Sequence, residues 1–132
     1  MRINAQVIPH AYQRYDTIGD WRFVTVPVYV PWLKDRKSDI ELQINVSDLG
    51  NDKYNMLVMI HEIVEALLCY YFGVTEKQVD DWDMSHLDSE EPGDEPGCPY
   101  AWQHSIATGV ERLLAAIMGI DWAEYGEAVR KL

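Results

Sequence analysis

Basic residues are scarce in this chain: 11 Lys and Arg stand against 22 Asp and Glu, a formal net charge of −11. Nucleic-acid binding relies on clustered Lys and Arg that neutralise phosphates, so no nucleic-acid partner is expected. Cysteine is scarcer still. Cys69 and Cys98 are the only two, they form no close CxxC pair, and they suggest no disulfide framework. No uninterrupted apolar run reaches the roughly 18 residues of a membrane span, which argues against a membrane partner. The opening MRINAQVIPH lacks the apolar stretch of a secretory signal, so a cytoplasmic setting is the expectation. Internal repeats and low-complexity linkers are missing too.

Apolar material is plentiful. With 48% hydrophobic residues, five Trp and eight Tyr, the 132 residues can bury a core and suit one domain, 1–132. Charge is distributed unevenly. Residues 1–53 hold seven acids and seven bases, whereas 54–132 hold the other 15 acids and only four bases. The excess there is compatible with a metal cation, or with a peptide or cationic protein as partner, although solubility explains most of it.

Residues 1–53 read mainly as strands. Residues 21–30 (WRFVTVPVYV) are rich in β-branched and aromatic side chains and follow the turn signal Gly19-Asp20. In 40–46, Ile40, Leu42, Ile44 and Val46 alternate with Glu41, Gln43 and Asn45, the pattern of a strand with one wet face. Pro27 and Pro31 confine the earlier strand to an edge or break it. Residues 54–132 read mainly as helices. One spans 55–72 and stops at Gly73; Thr75 with Gln78 forms a capping box for a short successor. An acidic loop follows over 80–99, with Pro92-Gly93 and Pro96-Gly97 as breakers. A second long helix covers 101–118, and Asp121 caps a last short one through Arg130. Strands first and helices after imply an α+β fold, with antiparallel strands followed by two long buried helices.

The first long helix carries the strongest chemical signal. Beyond Asn55, its only strongly polar residues are His61, Glu62 and Glu65. Apolar residues surround the helix, which predicts burial. A buried carboxylate persists only when paired, protonated or bound to metal. His61 and Glu65, four apart, share one face and reach one point; Glu62 is rotated to its flank. Two ligands at this spacing with an intervening Glu have the geometry of a zinc-binding HExxH helix. Here the segment His61-Glu62-Ile63-Val64-Glu65 reads HExxE.

This segment resembles the active-site helix of the zincin metallopeptidases, departing from it at the second ligand. Carboxylate oxygen is itself an accepted zinc ligand. The resemblance implies a Zn2+ cofactor (or another divalent transition metal), ligation by His61 and Glu65, and Glu62 as general base of a hydrolase or peptidase. A wider pattern, HEIVEALLC followed by EPGD, Pro99-Tyr100, His104 and Glu111, is similar to small phage and bacterial proteins that carry no assigned activity.

His104 is the leading third ligand. On the second long helix it shares a face with Thr108, Glu111 and Ala115, opposite a stripe of Ile106, Val110, Leu113 and Ile117 that reads as core. Glu111 is then a fourth ligand, or orients His104 from behind. The competing reading makes the His104 face the wet one. His86, in the acidic loop, is the runner-up ligand, and His10 reads as structural or exposed. Cys69 reads as a buried thiol and Cys98 as an exposed one. The acidic loop opens like a calcium loop at Asp81, but His86 and Pro92 occupy the positions of its Gly and Glu, which excludes an EF-hand. The loop remains a candidate lid, and the 40–46 strand a candidate edge for an extended substrate. Two functions remain open: a zincin-like metal-dependent hydrolase, or a non-catalytic phage or bacterial accessory protein whose metal ties the helices together. A two-metal carboxylate site ranks last, because the paired Glu-x-x-His order is missing.

Overall fold

The computed structural model describes residues 1–28, 32 and 37–132. Three strands come first, β1 (Arg2–Ile8), β2 (Gly19–Val28) and β3 (Lys37–Ser47). Four helices follow: α1 (Asp52–Tyr71), α2 (Glu76–Ser85), α3 (Ala101–Ile117) and α4 (Trp122–Arg130). This is the expected α+β order. Residues 29 and 30 of the strand expected over 21–30, and Pro31, lie outside the described residues.

The sheet is mixed, in the order β1-β3-β2, and this corrects the expectation of antiparallel strands throughout. β2 runs antiparallel to β3, with Trp21 opposite Ile44, while β1 runs parallel to β3, with Ala5 opposite Ile44. Alternation reports which face a residue takes, not which way its neighbour runs. β2 supplies the return that lets β1 and β3 point the same way. β3 is therefore central. It has no free edge for a substrate, contrary to the expectation above, whereas β2 takes the edge position that Pro27 requires. The alternation itself holds: Leu42, Ile44 and Val46 are fully buried.

α1 lies between the sheet and α3, packing on β2 and β3 on one side and on α3 on the other. It begins three residues before the expected start because Asn51 caps it, accepting hydrogen bonds from the backbone N–H groups of Lys53 and Tyr54. Gly73, at φ 77°, lets the chain leave α1 through the left-handed region. The capping box of α2 is present: Gln78 N–H donates to Thr75 Oγ1, and Thr75 N–H to Gln78 Oε1. α2 runs on to Ser85, so 80–85 is helical where a loop was expected. Val79 is buried beneath it, and Trp82 donates its indole N–H to the Pro92 carbonyl at 2.8 Å, which pins the far end. Exposed acids did not break a helix that was capped at one end and anchored at the other.

α3 meets α1 through its His104 face as expected, but the opposite stripe is not core. Leu113 and Ile117 are 61% and 71% exposed, so the supposed core stripe faces outward and α3 is only half buried. Its inward face holds Ala107 and Ala115, both fully buried, with Gln103, His104 and Glu111. Two alanines let α3 approach α1 closely, and polar groups satisfied by one another can then replace large apolar side chains in the contact. Cys98 is buried rather than exposed: Gly97, at φ 88°, turns the chain inward just before it. Cys69 is buried as expected, and both thiols are free. Among the described residues, no helix is long and apolar enough to cross a membrane.

Candidate metal centre

α1 and α3 meet through their polar faces. The i, i+4 spacing places His61 and Glu65 one above the other on α1, and α3 brings His104 against them from the other side. One donor atom from each residue lies within 4.8 Å of the other two, and the group, buried between the helices, could hold a metal ion. His61 Nε2 is 3.2 Å from His104 Nδ1 and 3.3 Å from Glu65 Oε2, and His104 Nδ1 is 2.9 Å from that same oxygen.

Each of the three is held from behind. The indole N–H of Trp21, on β2, donates to Glu65 Oε1 at 3.0 Å, leaving Oε2 for the cluster. His61 Nδ1 is 2.8 Å from Glu111 Oε2, which turns Nε2 inward. Tyr125, on α4, donates its hydroxyl to the other oxygen of Glu111. His104 is fixed by close approach. A Cβ on Gly93 would stand 2.3 Å from His104 Cγ, so only glycine lets the short 3-10 turn Pro92–Asp94 lie flat on the imidazole. Glu111 thus supports His61, not His104 as the helical spacing suggested.

Electrostatics follow from this crowding. Burial alone would lower the His61 pKa, but the bonds to Glu111 and Glu65 outweigh it and lift the pKa well above the usual imidazole value. His104 is raised against its own burial by Glu65. Burial would raise Glu65, yet the bonds from His104 and His61 hold it at about 2, so it stays ionised. Glu62 differs. It accepts no hydrogen bond from any described residue, and burial together with repulsion from Glu65 pushes its pKa well up. Its carboxylate lies against the backbone of Gly19, where an added Cβ would stand 2.3 Å from Oε1. Glu62 and the cluster line a single cleft of about 590 Å³.

The remaining candidates lie apart from the cluster. His86 stacks on Trp82 with ring centroids 4.0 Å apart and bonds the Trp82 carbonyl through Nδ1, which removes it as runner-up ligand. His10 bonds Ser47 Oγ and Asp16, a structural role as expected. Sequence reasoning did not find Trp21, Tyr125, Gly19 or Gly93. Trp and Tyr are the aromatic residues that bring a polar handle into a core, which is the one signal Trp21 and Tyr125 offered. Compared with known proteins, the chain matches no family model, no curated protein and no solved structure.

Proposed function

We propose that the protein binds one zinc ion through His61 Nε2, His104 Nδ1 and Glu65 Oε2, and that it is a zincin-like metal-dependent hydrolase with Glu62 as general base. The donor triangle carries this reading. Donors about 2.0–2.2 Å from a tetrahedral zinc stand roughly 3.3–3.6 Å from one another. Two edges of the triangle, at 3.2 and 3.3 Å, are already close to that, and the third, at 2.9 Å, has only to open slightly. Carboxylate–imidazole support of the kind Glu111 gives His61 is the usual companion of a metal-bound histidine. Because Glu111 is engaged with the outer nitrogen of His61, three protein donors remain, and the fourth corner is left to water or substrate.

The metal would supply Lewis acidity, polarising a substrate carbonyl and acidifying water. The chain supplies the rest. Glu62, free of hydrogen bonds and raised in pKa, takes a proton from water beside the cluster and returns it to the leaving group. Metal content decides the first half: about one equivalent per chain is expected after purification without added metal, and none in the His61→Ala/Glu65→Ala double variant. Equal content in both overturns it. Glu62→Gln decides the second half. It should keep the metal and lose any hydrolytic activity by about a hundredfold. A metal-loaded parent that cleaves nothing in a broad peptide and ester screen makes the metal a tie between α1 and α3. The two-helix origin of the donors favours that second reading.

A further inference from the structure

The cleft that holds the cluster is charged almost entirely one way. Among the described residues, ten Asp and Glu side chains line it against one Arg, Arg130. Half of these acids are accounted for. Arg14 forks onto Asp20 at 2.7 Å and onto Asp80 at 3.1 Å; Glu65 and Glu111 bond the histidines; Asp83 receives the hydroxyls of Tyr15 and Tyr100. Glu62, Glu90, Glu91 and Asp94 have no Lys or Arg partner among the described residues. Glu91 precedes the turn that lies on His104 and Asp94 ends it, with carboxylate oxygens 3.7 and 3.6 Å from Nε2, and their side chains are 56% and 71% exposed. They stand at the mouth, one imidazole ring away from the donor triangle.

A bound divalent cation leaves this imbalance in place. Its two positive charges are matched by Glu65 and Glu111, and metal binding requires both histidines to be neutral, which removes the charge on His104, the one cation that Glu91 and Asp94 contact among the described residues. A cleft lined by one sign of charge between low-dielectric walls concentrates ligands of the opposite sign.

We infer that the cleft accepts a cationic peptide segment, with a Lys or Arg side chain received by Glu91 and Asp94 beside the group presented to the cluster. The inference rests on the proposed metal centre for its chemistry, but recognition can be read without cleavage. The probes are two fluorescein-labelled hexapeptides, Gly-Arg-Ala-Gly-Arg-Ala and its counterpart with Gln in place of each Arg, followed by fluorescence polarisation on the full chain. The Arg peptide should bind about tenfold tighter at about 0.05 M salt and lose most of that advantage by about 0.5 M. Glu91→Gln with Asp94→Asn should abolish the preference. Asp52→Asn with Glu124→Gln, which removes the same charge away from the cleft, should retain it. Equal binding of the two peptides, or an equal loss in both double variants, overturns the inference. Elemental analysis of the same samples separates the two ideas. A metal-free protein that keeps the Arg preference defeats the metal centre alone, and a metal-loaded protein without the preference defeats the cationic cleft alone.

Discussion

Glu111 lies behind His61 without contributing a donor atom to the triangle, so replacing it perturbs the centre while leaving every proposed ligand in place. Its Oε2 is 2.8 Å from His61 Nδ1, a charge-assisted bond that fixes the ring and makes Nε2 a better donor. Losing such a partner costs about 10- to 100-fold in metal affinity, or about 1.4–2.7 kcal/mol. Glu111→Gln keeps an acceptor oxygen and should fall near the lower figure; Glu111→Ala, which also orphans the Tyr125 hydroxyl, should fall near the upper one. A second effect opposes the first. Glu111 is a principal cause of the raised His61 pKa, and removing it weakens proton competition for that imidazole. The loss should therefore be full at alkaline pH and narrower as pH falls. Competition with a chromophoric zinc chelator at two pH values, with circular dichroism to verify the fold, measures both. Unchanged affinity at alkaline pH would refute the supporting role. A loss as complete as that of His61→Ala would make Glu111 a ligand.

Chelation should lower the melting temperature, since the donors of α1 and α3 come together only in the folded chain. Metal at a hundred times its Kd is worth about 2.7 kcal/mol, several degrees for a domain of this size, and identical melting curves would contradict it. Gly93→Ala should weaken metal binding, because the new Cβ must displace either His104 or the turn that lies on it; a chelator titration matching the parent would show that the turn yields freely. Asp83 should contribute a stability that declines with pH. Burial raises its pKa to about 6, so between about pH 4 and pH 6 the unfolded chain ionises this group while the folded chain does not. In urea titrations of the chelated protein, Asp83→Asn should flatten that part of the profile, and parallel profiles for variant and parent would count against it.

The legible parts of this molecule were those written in short periods. Alternation in β3, the capping box at Thr75 and the glycine stop at Gly73 are local devices, and each forms where the residues placed it. The His61–Glu65 face was legible for the same reason, and His104 followed as the one histidine on the other long helix. Strand direction was not legible, since parallel and antiparallel neighbours leave the same alternation in β3. The apolar stripe of α3 was misread as core because hydrophobicity outweighed complementarity. Ile106, Leu113 and Ile117 make the more apolar stripe, yet Ala107 and Ala115 sit at the contact, and small residues rarely register as a core signal. Trp21 bonds Glu65 from β2 and Tyr125 bonds Glu111 from α4, contacts between separate elements that no local pattern could encode.

The Tyr125–Glu111 bond also sets an order of events at the ribosome. Chains emerge from the N-terminus, so the sheet and α1 are available before α3, and α3 before α4. Glu65 and His104 are 39 residues apart, Glu111 is 50 beyond His61, and Tyr125 is 14 further on. A nascent chain released only as far as α1 can offer Glu65 the Trp21 indole and His61, but not yet His104. Completion waits for the nine-residue α4 to dock its phenol onto Glu111. The centre therefore closes only once α4 has emerged, and termination before Tyr125 would leave a chain with all three donors and a His61 whose support is untethered.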